Sequence, residues 1–231
     1  AGEDCREVSS FGSRDYFRTE NAPKDAPARC HEGCPINGSC AYDAEHYATE
    51  QVKFIREVNP LLDTPGSIRS WVRPSPWGRC VYRCDNDTVD HQVVNLLFGS
   101  NITATFTMTA FARGRGIEVF GSEGTIRAGA FCKANTGADI IVTGLDANDG
   151  EEIRLDTYEG GYEGHGDADL GLMQELYDEM HRPGPEQMRT SIQNSVVSHV
   201  MGFAAEESRE TGEVVRIDEF RKKFDVGAGS D

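Results

Sequence analysis

Three cysteines lie within eleven residues near the start of the chain, in the stretch CHEGCPINGSC. Cys30, Cys34 and Cys40 follow a C-x3-C-x5-C spacing, and Cys84 or Cys80 of the later stretch GRCVYRC can supply a fourth thiol. Structural zinc takes four tetrahedral ligands, often thiolates, and contributes folding energy to loops that lack a core. The spacing therefore predicts a zinc site formed by Cys30, Cys34, Cys40 and Cys84.

Two other interpretations of the cysteine stretch stay open. His31 or His46 can replace one thiolate as a metal ligand. The cysteines can also be free thiols with no ligand, because free cysteine packs as a small apolar residue. The chain holds seven cysteines, an odd number that cannot all pair within one chain, and a structural disulfide is rare in the cytosol.

A second polar stretch, RCVYRCDNDTVDH, precedes an apolar run that is typical of a strand. It carries Arg79, Tyr82, Asp85, Asn86 and Asp87. Guanidinium, carboxylate and amide groups at the start of a strand can converge on the hydroxyl groups of a sugar or polyol. The alternative is a simple turn, because Asp and Asn side chains bond to their own backbone.

Composition excludes several classes of partner. The chain has 231 residues, 23 Lys plus Arg against 39 Asp plus Glu, and a formal net charge of -16. Such a chain repels phosphate backbones, so we expect no nucleic-acid partner. No apolar run approaches the ~20 residues that span a bilayer, and the first residues do not resemble a signal peptide. We therefore expect a soluble, cytoplasmic protein with no membrane partner.

Alternating patterns predict the strands that position these groups. In NITATFTMTAFA, apolar residues alternate with threonines, so one face of this strand is apolar and the other is lined with threonine. A first strand is predicted over 6–18, and HQVVNLLF precedes the threonine strand across a short turn. Further strands are expected in GIEVFG, GTIRAGA, ADIIVTGLD, EEIRLDTY and EVVRID. Tight turns between them indicate mainly antiparallel pairing.

Helical patterns occur in three places. AYDAEHYATEQVKFIREV predicts a short amphipathic helix, followed by a proline-rich loop. LGLMQELYDEM predicts a helix capped by Asp167 or Asp169, and a helix opening at Ser191 places Ile192, Val200 and Phe203 on one apolar face. The predicted fold is one α+β domain over residues 1–231, an open, mainly antiparallel sheet with helices packed on one face.

Several motifs in this order resemble a known family. VFGSEGTI, GHGDADLGLMQELYDEM and SVVSHVMGFAAEESRETGEVVRIDEF look like the C-terminal domain of the glucose-fructose oxidoreductase, inositol dehydrogenase and MocA (Gfo/Idh/MocA) family. The stretch GRCVYRCDNDTVDHQVV and the cysteine segment resemble one bacterial branch of that family. The similarity runs from Val8 to Phe220, and it implies a dihydrodipicolinate reductase-like C-terminal domain.

The resemblance implies an NAD(P)-dependent oxidoreductase that acts on a sugar, cyclitol or similar polyol by hydride transfer. Family members carry an N-terminal dinucleotide-binding domain and a catalytic lysine in a Glu-Lys-Pro segment, and neither is found in this chain. GRGIEVFG has glycine spacing but lies within the predicted strands. We therefore expect NAD or NADP in the full-length enzyme, no cofactor on this chain, catalytic residues upstream of residue 1, and no activity of the chain alone.

The resemblance also places a pocket histidine near His165, in a glycine-rich loop that enters a helix beside Asp167. A histidine at a helix N-terminus can bond a sugar hydroxyl, although a solvent-exposed loop histidine beside an ordinary cap gives the same pattern. We also expect a homodimer or higher homo-oligomer through the threonine face. The competing hypothesis is a non-catalytic, zinc-stabilised binding or scaffold module.

Overall fold

A computed structural model describes residues 3–112, 114–133, 139–145, 151–154, 168–182 and 192–224. The strands are β1 Cys5–Ser13, β2 His91–Phe98, β3 Thr103–Thr109, β4 Gly116–Gly121, β5 Gly124–Gly129, β6 Ile140–Gly144, β7 Glu151–Ile153 and β8 Val215–Arg216. The α-helices are α1 His46–Thr49, α2 Val52–Val58, α3 Pro65–Val72, α4 Ala130–Lys133, α5 Ala168–His181, α6 Ile192–Thr211 and α7 Ile217–Lys223. The predicted α+β class and antiparallel pairing are confirmed.

The chain divides into two compact units, one within residues 1–110 and 182–231 and the other within 111–181. The described strands form a four-stranded sheet in each unit, ordered β3-β2-β1-β8 in the first and β4-β5-β6-β7 in the second. The sequence pattern indicated one sheet. Antiparallel strands joined by short turns have the same alternation whether or not pairing continues from β3 to β4, so the pattern could not reveal this division.

Helix α6 covers one face of the first sheet. Val8 of β1 and Val94 of β2 lie on that face and form a core with Val200 and Ala204 of α6. These four side chains are at most 9% exposed. Burying apolar surface of this kind supplies most of the free energy that holds a helix on a sheet.

The opposite face of the first sheet is open. Thr103, Thr105 and Thr107 of β3 are exposed there, beside Val93 of β2 and Phe11 of β1, whose side chain is 65% exposed. The register with β2 places the threonines of β3 on the face opposite α6, but the apolar face of β3 is not buried either, because Ala104 is exposed and Phe106 is 57% exposed.

Ser208 joins α6 to the edge of β1. Strand β8 pairs with β1 only at Glu7 and Val8, so the amide of Ser10 lies beyond the ladder. The Ser208 hydroxyl accepts a hydrogen bond from that amide at 2.9 Å and donates to the Glu213 carbonyl at 2.6 Å. One buried hydroxyl thus satisfies two backbone groups that no strand reaches.

A second core lies under α1, α2 and α3. Ile55, Leu62 and Ile68 are buried in it. The sequence indicated a proline-rich loop at α3, and that prediction is wrong because Pro65 occupies the first turn of the helix, where proline is tolerated. Thr64 and Ser67 form a reciprocal capping box at this end, with both N–H to hydroxyl distances at 3.1 Å.

Other element boundaries also differ from the prediction. The helix expected before the proline-rich stretch is split into α1 and α2, and the last strand is only two residues long before α7 begins. On α6, Val200 is buried as expected, but Ile192 and Phe203 are 80% and 64% exposed. None of the described helices has the length and apolarity that a membrane crossing requires.

The second unit is built on the hairpin β4–β5 and continues through β6 and β7. Cys132 of α4 is buried, and its thiol donates to the Arg127 carbonyl of β5 at 2.9 Å. The ring of Phe131 lies so close to Gly116 that a Cβ atom there would stand 2.7 Å from it. Helix α4 is therefore fastened to the first two strands of its own sheet.

Candidate functional site

The cysteine segment of the first unit lies against the stretch that precedes β2. One antiparallel bridge pairs Arg29 with Arg79. The amides of Cys30 and Cys80 donate to carbonyls of the opposite segment at 3.2 and 2.9 Å. Because successive residues of an extended chain point to opposite sides, Cys30 and Cys80 both project away from the side of the two arginines.

A small cavity of about 20 Å³ lies on that side. Four cysteines line it, together with two tyrosines, a buried aspartate and several apolar residues. The thiols and the polar or aromatic members of the lining are Cys30, Cys34, Cys40, Cys80, Tyr42, Asp43 and Tyr82. All seven cysteines of the chain are free.

Three of the four predicted metal ligands therefore share one cavity, and Cys84 does not line it. The Cys84 thiol instead donates to the Cys80 carbonyl at 3.4 Å. Cys80 supplies the fourth thiol of the lining. In the described part of the chain, no three His, Cys, Asp or Glu side chains already stand where a single metal ion would contact all of them.

The cavity is electrostatically unfavourable for a free thiolate. Burial raises the pKa of the Cys30 thiol; a hydrogen bond from the Ala44 backbone opposes this, and nearby Asp43, Cys80 and Cys40 raise the pKa further. Asp43 is itself 4% exposed and accepts hydrogen bonds from the amides of Gly38 and Glu45. Without a cation, the Cys30 thiol therefore stays protonated at neutral pH.

The two histidines proposed as alternative ligands lie elsewhere. His46 uses both ring nitrogens, with Nε2 at 3.0 Å from the Cys40 carbonyl and Nδ1 at 2.8 Å from Glu50. The bond to the Cys40 carbonyl is the largest of the effects that raise the pKa of His46. His31 lines a neighbouring cavity of about 50 Å³.

An aromatic cluster adjoins the thiol cavity. It consists of Tyr16, Phe17, Tyr42 and Tyr82, whose ring centroids are 5.1 to 6.2 Å apart. Tyr82 is 7% exposed, and its hydroxyl donates to the Tyr16 hydroxyl at 3.1 Å. Burial, followed by this hydrogen bond, raises the pKa of Tyr82. The predicted polyol contact at Tyr82 thus falls on a side chain whose hydroxyl is already bonded inside the cluster.

Asp90 and His91 form a fixed pair beside this cluster. The Asp90 side chain is 2% exposed, and its Oδ1 lies 2.7 Å from His91 Nδ1. Its Oδ2 accepts hydrogen bonds from the amide N–H of Tyr16 at 2.7 Å and from the amide N–H of Phe17 at 3.2 Å. Burial alone would raise the pKa of Asp90, but the hydrogen bonds from His91 and the two amides hold it below its ordinary value.

The other nitrogen of His91 faces a serine on the neighbouring strand. Ser13 is paired with His91 in the β1–β2 register, and Ser13 Oγ lies 3.3 Å from His91 Nε2. The Ser13 hydroxyl donates to Asp15 Oδ2 at 2.6 Å. Since its proton is directed to Asp15, the geometry does not make Ser13 a nucleophile of the Ser-His-Asp type.

His91, Ser13 and Asp15 instead present donors and acceptors side by side at the open face of the first sheet. The His91 side chain is 47% exposed, so a ligand can reach it. Sequence reasoning included Asp90 and His91 in a polar stretch but gave them no separate role. The sequence signal for this site is the Asp90-His91 pair at the start of a strand. The pair becomes a candidate site only because strand pairing places Ser13 opposite His91.

Of the predicted polyol-binding residues, the structure brings Arg79 and Asp85 together. Arg79 Nη2 donates to Asp85 Oδ1 at 2.6 Å, and this hydrogen bond lowers the pKa of Asp85. Asn86 and Asp87 are exposed beside them. His165 and Asp167 lie outside the described residues.

The chain was compared with known families and structures. No family model and no curated protein matches it. Among solved structures, 58% of this chain is similar to 44% of the chain of a proposed oxidoreductase from Bacteroides fragilis, with a TM-score of 0.38 and 15% sequence identity. A likeness at this level establishes neither the family nor the activity of this chain.

The described residues were also tested for a fit to a dinucleotide. In the glycine-rich stretch 114–121, six residues form strand β4, which turns directly into β5 rather than opening a helix. A dinucleotide fingerprint requires the glycine turn to join a strand to a helix N-terminus. The glycine-rich stretch 114–121 is therefore not a dinucleotide fingerprint.

Proposed function

We propose that this chain is the substrate-binding and assembly domain of an NAD(P)-dependent oxidoreductase that acts on a sugar, cyclitol or similar polyol. The resemblance of its motifs to the C-terminal domain of the Gfo/Idh/MocA family supports the reaction class. The observation that carries the polyol site is the His91 imidazole, anchored by buried Asp90 and directed at Ser13 on the open face of the first sheet.

The chemistry of these groups suits a polyol. Each hydroxyl of a polyol is both donor and acceptor, and a site that reads it needs both kinds of partner in fixed positions. Asp90 fixes the ring of His91, Ser13 offers a hydroxyl, and Asp15 offers a carboxylate within 2.6 Å of that hydroxyl. In this proposal Arg79, Asp85, Asn86 and Asp87 offer further polar groups to the substrate, and His165 and Asp167 remain substrate contacts that only the family resemblance implies.

The hydride chemistry belongs to a part of the enzyme that binds the dinucleotide, and that part lies beyond the described residues. When bound, NAD or NADP supplies the hydride acceptor or donor. The residues of this chain bind the polyol, orient its carbinol carbon and keep water from one side of it. We propose that the enzyme is a homodimer or higher homo-oligomer whose contact is the threonine face of β3.

The second candidate is a non-catalytic binding or scaffold module stabilised by zinc. The observation that favours it is the convergence of four cysteines on one cavity. The two candidates differ in ligand: a scaffold module needs no polyol, whereas the proposed domain must bind one.

Histidine-resolved NMR of the 231-residue chain tests the polyol site. Titration with myo-inositol and with glucose is expected to shift the ring signals of His91 in a saturable way. In His91→Gln, binding of the responsive polyol is expected to weaken at least tenfold, because one fixed hydrogen-bonding group is lost. His199→Gln is the matched control, since His199 is exposed and its Nδ1 bonds to the carbonyl of Ser195 on its own helix. Unchanged affinity in His91→Gln would refute the assigned site.

A further inference from the structure

We propose that Cys30, Cys34, Cys40 and Cys80 form a tetrahedral zinc-thiolate site that closes the loop segment between β1 and α1 onto the stretch before β2. This inference replaces Cys84 by Cys80 in the ligand set. It does not depend on the oxidoreductase proposal, because a zinc site of this kind stabilises an enzyme domain and a scaffold module equally.

The backbone brings the four cysteines together from two distant stretches of sequence. Cys30, Cys34 and Cys40 come from the loop segment, and Cys80 comes from the far side of α3. The bridge between Arg29 and Arg79 fixes Cys30 and Cys80 on the same side of the two extended segments. No disulfide holds these four cysteines together, because all four thiols are free.

The size of the cavity fits a single ion. Its volume of about 20 Å³ is enough for one water-sized occupant. Four thiols line it, which equals the coordination number of structural zinc. The ion class is therefore a single thiophilic divalent cation, of which zinc is the one that proteins use for structural tetrahedral thiolate sites.

The loop also carries backbone features that suit thiolate ligands. The amide of Tyr42, two residues after Cys40, donates a hydrogen bond to Cys40 Sγ at 3.4 Å. Amide hydrogen bonds to sulfur offset the negative charge of metal-bound thiolates. Gly33 and Gly38 have φ of +87° and +78°, so the chain reverses just before Cys34 and just before Cys40.

The loop segment has little else to hold it. In residues 22–43 the described structure contains turns and loops but no α-helix or ladder strand, and the buried residues there are Ala26 and Asp43. A segment with so small a core of its own gains order from a cross-link, and a bound zinc ion is such a cross-link. The site would thus account for the ordering of this loop.

Zinc binding requires a local rearrangement of side chains. As described, no three potential ligands already surround one point. In the proposed site the cysteine side chains rotate toward the cavity until each Sγ lies at the usual Zn–S distance of about 2.3 Å. The four thiols lose their protons to solvent as four zinc–sulfur bonds form.

Metal analysis of the 231-residue chain, purified after growth with added zinc and without affinity-tag histidines, tests the site. We expect about one zinc per chain by plasma mass spectrometry, and about four additional reactive thiols after chelation. Cys80→Ser is expected to reduce bound zinc by at least tenfold. Cys84→Ser, the same substitution four residues later in the same loop, is expected to leave zinc content unchanged.

Cobalt substitution in the wild-type chain tests the site without a substitution, so its result does not depend on whether a variant folds. The wild-type chain with Co²⁺ is expected to show thiolate-to-cobalt charge transfer in the near ultraviolet and intense tetrahedral bands in the visible, and Zn²⁺ is expected to abolish both. Absence of zinc and of cobalt bands in the wild-type chain would overturn the proposal. Loss of zinc in Cys84→Ser with retention in Cys80→Ser, or recovery of iron and sulfide in place of zinc, would overturn it as well.

Discussion

At the scale of single residues, Asp90 determines how the candidate polyol site is built. Its carboxylate is buried, yet three donors surround it: the ring of His91 and the amides of Tyr16 and Phe17. Because the charged form is the one these donors stabilise, the pKa of Asp90 lies below its ordinary value. The ring of His91 is positioned as a consequence and need not be ordered by the ligand.

This depressed pKa predicts a pH dependence of stability. The stabilisation from Asp90 is present above the ordinary aspartate pKa of about 3.9 and is lost as the pH falls through its lower value in the folded protein. Asp90→Asn is expected to lower the free energy of unfolding at pH 7 by about 1–3 kcal/mol and to flatten the acid limb of the stability profile. Urea unfolding across pH 2–7 measures both effects.

Asp85→Asn serves as the control for Asp90→Asn. The pKa of Asp85 is also lowered, by Arg79, but its side chain is 84% exposed. An exposed pair of this kind contributes little to stability. We expect Asp85→Asn to change the free energy of unfolding at acid pH much less than Asp90→Asn does. Equal changes in the two variants would contradict the role given to Asp90.

Gly12 makes a close approach between strands next to the site. A Cβ atom there would lie 2.5 Å from the His91 carbonyl oxygen and 2.9 Å from the Cα of Gln92. Gly12→Ala is therefore expected to cost about 1–3 kcal/mol, because the two strands must separate. Gly202→Ala lies within α6, where a Cβ atom would meet no described atom within 4 Å apart from its chain neighbours and its own helix backbone, and it is expected to stabilise by up to about 1 kcal/mol. Thermal unfolding measures the change in stability of each variant, and a change of the same sign in both would refute this explanation.

At the scale of elements, the sequence predicts strands better than contacts between them. The alternation of β3 was enough to predict its threonine face, because period two is a property of the strand alone. Helix α3 was missed because proline was taken as a breaker, although Pro65 lies at the helix start. Spacing alone cannot show which of two nearby cysteines a backbone bridge turns toward a cavity, and here Cys80 lines the cavity whereas Cys84 does not.

Helix α6 is expected to depend on one hydroxyl for its attachment at the edge of the first sheet. Ser208→Ala removes the acceptor of the Ser10 amide, which belongs to a buried residue, and the donor to the carbonyl of Glu213, which is exposed. We expect a loss of about 1–3 kcal/mol in urea unfolding. Ser198→Ala is the control, since Ser198 is exposed on the same helix and bonds only within it. Equal losses in the two variants would contradict the attachment.

At the scale of the whole molecule, the open face of the first sheet predicts self-association. Phe11 lies there beside a row of threonines, and its side chain is 65% exposed. Sedimentation equilibrium of the 231-residue chain is expected to show a dimer or higher oligomer. Phe11→Glu is expected to shift it to monomer, because a charge on this face would be buried in the contact.

Leu61→Glu is the matched control for the association experiment. Leu61 is 86% exposed and lies in the turn between α2 and α3, outside the strands of the sheet. It is expected to leave the oligomeric state unchanged. A monomeric wild-type chain at high concentration would rule out the threonine face as an assembly surface.

The sequence predicted less of the whole molecule than of its parts. The α+β class followed from strand and helix patterns, and the polar stretch before β2 was identified as a site region. The division into two sheets and the Asp90–His91–Ser13 set were not predicted, because both depend on which strands lie side by side. Ser13 and His91 are 78 positions apart, and pairing alone makes them neighbours.

Calorimetric titration of the 231-residue chain, with a polyol and separately with NADH, tests the central claim most directly. We predict saturable binding of at least one sugar or cyclitol and no measurable binding of NADH, because the proposed polyol site uses residues of this chain and the glycine-rich stretch 114–121 forms a β-hairpin strand instead of a dinucleotide-binding turn. NADH binding at micromolar affinity, or no binding of any member of a broad polyol panel at millimolar concentration, would contradict it.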